Sequence, residues 1–273
     1  MFDKGGGIDL ERCFIRSHRG LWPFKLATTS YIIPDKIIPN VTFLSPFFDE
    51  IELVLFESPK EDNIPEREEI HSLREISLHE RIGYNIHLPI DVFLGDENKE
   101  TRQRGVSMIK RVIRQTLPLE PSFYTLHLDL RDACVKDIVA WKDRIIESLK
   151  EIMETGVEAK RISIETLSYP FEWIEDILDR FNFSVCLDIG HILFFKQSLK
   201  DYLNRYLPLA TILHLHGYKN GVDHLGIDRL SEGDLELIFS YLKKYKGIVS
   251  IEVFSLKELR NSLRVLEGKW AKN

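Results

Sequence analysis

Six short apolar runs in this chain each stop on an ionisable side chain. They are YNIHLP with His87, YTLHLD with His127, RISIETL with Glu165, SVCLDIGH with Asp188 and His191, TILHLHG with His214, and IVSIEVF with Glu252. The intervening stretches mostly read as helices. A buried strand rarely carries a charge or an imidazole unless something binds it, because unpaired burial is strongly unfavourable. A lone strand-end carboxylate commonly caps the next helix, and a lone strand histidine commonly hydrogen-bonds within a core. Six at corresponding positions describe one converging site instead, and the side-chain types are those of a hard-to-borderline divalent metal centre.

The periodicity supplies a frame for that site. Strands are expected at 26–30, 51–58, 84–89, 123–128, 161–166, 184–189, 211–215 and 248–254. Helical patterns lie between most of them. One runs from Ile64 to a closing Gly83, with Ile70, Leu73, Ile76 and Leu78 as its apolar face. Asp137 is placed to cap another, and Ser231 with Asp234 forms a capping-box signature. Eight strands alternating with helices in 273 residues favour a closed (β/α)8 TIM barrel over an open sheet. The chain reads as one domain over 1–273, with an irregular lead-in over about 1–22 around Gly5, Gly6 and Gly7. Side chains alternate along a strand, so Asn85 shares a face with His87, Thr125 with His127, Ser163 with Glu165, Cys186 with Asp188, and Ser250 with Glu252. The lower member of each pair packs, and the upper one faces the C-terminal mouth where such barrels act.

Composition narrows the function. A net charge of −6 and a pI of about 5.9 argue against broad nucleic-acid binding, so DNA is an unfavoured partner. The three cysteines, Cys13, Cys134 and Cys186, form no CxxC and point to a reducing compartment. No apolar run approaches the ~20 residues of a membrane span. The opening MFDKGGGIDLER has no apolar signal core, so a cytoplasmic protein is expected. Neither a dinucleotide nor a P-loop fingerprint is present. Weaker site candidates are Glu57, Asp129, His191 and His216, together with Asp223 and His224 on the loop after strand seven. His18, His71 and His79 read as solvated. The oligomeric state is left open.

With these residues in view, the chain resembles the xylose isomerase-like barrels, which include the endonuclease IV family. The sugar isomerases and epimerases of that superfamily hold one metal with Glu, Asp, His and Glu from strands five to eight. The matching positions are Glu165, Asp188, His214 and Glu252. Endonuclease IV adds histidines matched by His87, His127 and His191, and an Asp-x-His loop. Here Asp223 and His224 are adjacent, so the third-metal pattern is broken. Within the superfamily the chain looks most like the cobamide-remodelling phosphodiesterases, on the segments TTSYIIPDKIIPNV, IELVLFES, YNIHLPIDVFLG and YTLHLDL.

That resemblance implies hydrolysis of the nucleotide-loop phosphodiester of a cobamide, a corrinoid small molecule, to cobinamide phosphate and an α-riboside. It implies divalent zinc, manganese or iron, with two ions as the main reading and one or three as alternatives. His87, His127 and a bridging Glu165 would hold one ion; Glu165, Asp188, His214 and Glu252 would hold the second. His191, with Asp223 or His224, would take a third ion or the phosphate. Glu165, Glu252 and His191 would carry the catalysis, with Glu57 and His216 against the substrate. Tyr31, Ile32, Ile33 and Phe56 are candidates for an apolar mouth. The alternatives are a one-metal sugar isomerase or epimerase, using Glu165 and Glu252 as paired acid and base, and an endonuclease IV-like DNA-repair enzyme. A non-catalytic cobamide-binding protein is a further reading, disfavoured by the intact metal-type residues.

Overall fold

The computed structural model describes residues 16–56, 63–130 and 137–271. Eight parallel strands close on themselves: β1 (Lys25–Thr29), β2 (Glu50–Val54), β3 (Gly83–His87), β4 (Tyr124–Leu126), β5 (Ile162–Glu165), β6 (Ser184–Asp188), β7 (Ala210–Leu215) and β10 (Ile248–Ile251). Each pairs with its sequence neighbours, and β10 pairs with both β7 and β1 to close the ring. The fold is thus a TIM barrel. Its strands carry Ile, Leu and Val on the outer face because helices cover them.

The surrounding helices are α1 (Ile37–Leu44), α2 (Arg67–Glu80), α3 (Lys99–Thr116), α4 (Ile138–Met153), α5 (Glu175–Phe181), α6 (Ile189–Phe194), α7 (Leu199–Tyr206), α8 (Glu232–Leu242) and α9 (Leu256–Ala271). Asp137 caps α4 by accepting from the Ala140 amide at 3.0 Å, and Ser231 caps α8 by accepting from Asp234 N at 3.1 Å. None of the helices among the described residues is long and apolar enough to cross a membrane.

Several boundaries differ from the sequence expectation. The helix expected to close on Gly83 ends at Arg81, which adopts a left-handed φ of 56°, and Gly83 instead opens β3. Leu78 lies off the buried face and is exposed. The run FEWIEDILDRF splits into a 3₁₀ turn at Phe171–Ile174 and the short α5. Strands β2, β4 and β10 stop earlier than expected, which places His127 and Glu252 one residue beyond their strand ends. The loop after β7 contains a hairpin, β8 (Gly217–Lys219) and β9 (Val222–Leu225). His18 is not solvated: it is buried, stacks on Trp22 at 6.0 Å and faces Glu267 at 3.6 Å.

The barrel interior is layered. Its foot carries Glu50, fully buried, with Oε1 accepting from Lys25 Nζ and Ser122 Oγ, each at 2.8 Å. Ala27, Cys186, Ile212 and Ile248 form a small apolar cluster. The ring of ionisable side chains lies toward the C-terminal strand ends.

Candidate metal centre

Glu165, Asp188, His214 and Glu252 each present one ligand-type atom within 4.8 Å of the others, and all four are buried. His87, His127 and Glu165 form a second such group, so Glu165 lies between the two. Its Oε2 is 2.9 Å from His127 Nε2, 3.3 Å from His87 Nε2 and 3.6 Å from His214 Nδ1. Strand register explains the convergence. Asp188 pairs with His214, which pairs with Ser250, while His87 pairs with Thr125. The inward residues of adjacent strands therefore rise together to the mouth.

A third group combines His191, His216 and His224. His216, expected against the substrate, is fully buried and does not line the mouth. Its Nε2 lies 3.2 Å from Asp188 Oδ1, and its ring stacks on His224 at 4.3 Å. Glycine at position 190 makes room for it, since a Cβ there would fall 2.1 Å from the His216 ring. The β8–β9 hairpin carries His224 over the site, with Nε2 3.5 Å from Glu252 Oε2. Asp223 reaches His191 Nε2 only at 3.8 Å and lies outside this group of three. His216, rather than Asp223, is thus the residue grouped with His191 and His224. Glu57 lies outside the described residues.

Hydrogen bonding decides whether the donor set suits a metal. Glu165 Oε1, Asp188 Oδ2, His191 Nδ1, His214 Nδ1, His216 Nε2 and Glu252 Oε2 are all buried and make no well-formed hydrogen bond, although each lies within about 3.3 Å of an opposite-type group of the site. Such orphaned atoms are uncommon in folded proteins and call for an explanation. Six of them aimed at one small volume, all oxygen or imidazole nitrogen, fit divalent cations such as zinc, manganese or iron.

Outer contacts fix which ring nitrogen faces inward. His87 Nδ1 lies 3.0 Å from Leu88 O, and His127 Nδ1 lies 3.1 Å from Asp129 Oδ2, leaving both Nε2 atoms toward Glu165. Asp188 also caps α6, accepting from His191 N at 2.7 Å through Oδ1, and keeps Oδ2 for the centre.

The electrostatics show what the site lacks without a cation. Burial pushes the carboxylates toward neutrality, yet facing imidazoles hold Glu165 and Glu252 well below the usual range and Asp188 at about 2. Burial likewise disfavours charged imidazoles, but the carboxylates outweigh it and raise His191 to about 9 and His224 to about 10. Histidine protons balance the buried carboxylates, and metal ions compete for the same lone pairs.

A cavity of about 360 Å³ opens over this centre. His87, His127, Glu165, His191, Asp223, His224 and Glu252 form its floor, and Val54, Ile90, Asp129, Leu167, Ser168, Phe195 and Phe254 its walls, with no Lys or Arg among the described residues. Tyr31, Ile32, Ile33 and Phe56 do not line it: Ile32 is in the core, and Tyr31 packs edge-on against Phe56. A larger cleft of about 730 Å³ opens at the opposite, N-terminal end near Ala210 and Gly247, but offers no His, Asp or Glu.

One acid escaped the sequence reading altogether. Glu52 is fully buried, 2.9 Å from His214 Nε2, yet IELVLFES reads as an almost continuous apolar strand. The signal was the Glu-Ile-Glu alternation of Glu50 and Glu52, which puts both on the inward face.

Comparisons with known proteins agree with this architecture. A structure of a D-tagatose 3-epimerase-like protein superposes with a TM-score of 0.74 at 20% identity, covering 90% of this chain and 96% of that one. Endonuclease IV from Thermus thermophilus gives 0.67 at 17% identity over 89% and 99%. An IOLI protein with a bound zinc atom gives 0.66 at 15% identity over 89% and 96%. A search of curated protein sequences finds no match. The xylose isomerase-like TIM barrel model matches residues 48–269, and the chain belongs to that family.

Proposed function

We propose that this protein is a metal-dependent phosphodiesterase that cleaves the nucleotide loop of a cobamide, releasing cobinamide phosphate and an α-riboside. The observation that carries the reading is the pairing of two ligand groups sharing Glu165 with a wall that is largely apolar through Val54, Ile90, Leu167, Phe195 and Phe254. A phosphodiester anion repels nucleophiles. Divalent ions held by His87, His127, Glu165, Asp188, His214 and Glu252 would neutralise it and lower the pKa of water. The chain's own groups do the rest. Glu165 and Glu252, kept as carboxylates by the facing imidazoles, would orient a water at the floor, and His191 and His224 would donate to phosphate oxygens from its rim. Ile90, Phe195 and Phe254 are exposed at the mouth and offer apolar surface to a broad ring system.

A one-metal epimerase needs only Glu165, Asp188, His214 and Glu252, and leaves His87 and His127 without work. A DNA-repair reading needs cationic side chains near the phosphate backbone, and the walls offer none among the described residues. The test is to incubate the protein with Mn²⁺, Zn²⁺ or Fe²⁺ and, separately, a cobamide, an abasic-site duplex and a ketose. Release of α-riboside with cobinamide phosphate supports the proposal. Cleavage of the duplex alone, or interconversion of the sugar alone, rejects it in favour of the corresponding alternative.

A further inference from the structure

We infer that Glu52 is the positioning residue of the centre: it holds His214 in the tautomer that presents Nδ1, and supplies a buried negative charge behind that ligand. The inference rests on the metal-centre reading and extends it below the ligand layer. Glu52 is fully buried on β2, with Thr29 and Asn85 as its strand neighbours. Both carboxylate oxygens are engaged. His214 Nε2 lies 2.9 Å from Oε1, and Ser250 Oγ donates to Oε2 at 2.5 Å. Ser250 is itself the register partner of His214, so the contact is set by the β7–β10 pairing.

The other face of the same imidazole looks into the centre. His214 Nδ1 is 3.0 Å from Glu252, 3.6 Å from Glu165 and 3.7 Å from Asp188. A neutral imidazole carries one proton. Because Glu52 takes the Nε2 proton as its hydrogen-bond donor, the Nδ1 lone pair is left for a cation. In the opposite tautomer Nδ1–H would point at Glu252 and Nε2 would meet a carboxylate with no proton between them. A carboxylate behind a ligating histidine also raises its basicity, and losing such a partner costs about 10–100-fold in metal affinity.

The experiment uses the full chain loaded with ¹¹³Cd²⁺ and with Zn²⁺. In the wild type, ¹⁵N-imidazole NMR should show cadmium coupling at His214 Nδ1 and a proton at Nε2. Zinc affinity, read by competition with a chromophoric chelator, should weaken about tenfold in Glu52→Gln, which keeps the shape without the charge. It should weaken further in Glu52→Leu, which removes the acceptor. Coupling at Nε2, or wild-type affinity in Glu52→Gln, overturns the inference while leaving the centre intact. Wild-type protein that binds neither metal overturns both. Should the variants fail to fold, the wild-type spectrum still decides.

Discussion

Two buried glutamates two residues apart on β2 meet opposite fates. Glu50, at the foot, has Lys25 and Ser122 on one oxygen and faces Asn85 on the other. Lys25 is itself well exposed, so the foot reaches solvent for its cation. Among the described residues, Glu52 and the carboxylates above it meet no Lys or Arg. Apart from the Ser250 hydroxyl on Glu52, their charged partners are imidazoles, and several of the close pairs are not well-formed hydrogen bonds. The foot is arranged for stability and satisfies its charge with protein atoms. On the proposed reading, the mouth leaves its charge for a cation. The same residue type thus reads as structural or functional according to what completes it.

The sharpest way to break this contrast is Glu165→Gln. Glu165 is the residue common to both ligand groups, and an amide is a poor bridge. Phosphodiester cleavage should fall by about 10²–10³-fold, corresponding to the several kcal/mol a metal contributes, and metal content should fall with it. Elemental analysis beside the activity assay checks the pairing.

Removing metal by chelation should lower the thermal midpoint as well as activity. At a thousand-fold excess of metal over its dissociation constant, binding stabilises the fold by ~4 kcal/mol. Calorimetry with and without EDTA measures the difference.

At the foot, Lys25→Met should do the reverse: lower stability with metal content unchanged. It strips the cation from a buried carboxylate. Because the lysine is exposed and Ser122 still donates to the same oxygen, the cost should be about 1 kcal/mol, the upper end for a solvent-exposed ion pair, rather than that of a fully buried pair. Denaturant titration gives the value. At the walls, Phe254→Ala should raise KM several-fold and leave kcat nearly unchanged, since its contact is made before and during the reaction alike.

The smallest effect is a proton count. His191 and His224 have raised values of about 9 and 10, so their ion pairs stabilise the metal-free fold fully below pH 6.5 and lose that contribution as pH rises through those values. Metal binding near pH 7 should therefore release protons and tighten as pH rises. Titration calorimetry in buffers of different ionisation enthalpy reads the release directly.

The barrel was legible because its strands and helices repeat in different periods and because six polar strand ends violate the apolar pattern at one level. Asp188 and Glu165 stood out against Leu, Ile and Val. Glu52 did not, since one acid inside IELVLFES looks like an interruption until the sheet closes and brings His214 to it. The β8–β9 hairpin was missed although Asn220–Gly221 is a strong two-residue turn signal; both adopt positive φ, 53° and 77°. His18 looked polar and solvated because its burial depends on Trp22, Phe48 and the distant Glu267. Only tertiary packing brings those groups together.

The most direct test of the central claim is anomalous diffraction from crystals of the wild-type protein loaded with Zn²⁺ or Mn²⁺. The account predicts one peak among Glu165, Asp188, His214 and Glu252 and a second among Glu165, His87 and His127. No peak at the mouth, with metal bound only to exposed surface carboxylates, would contradict it.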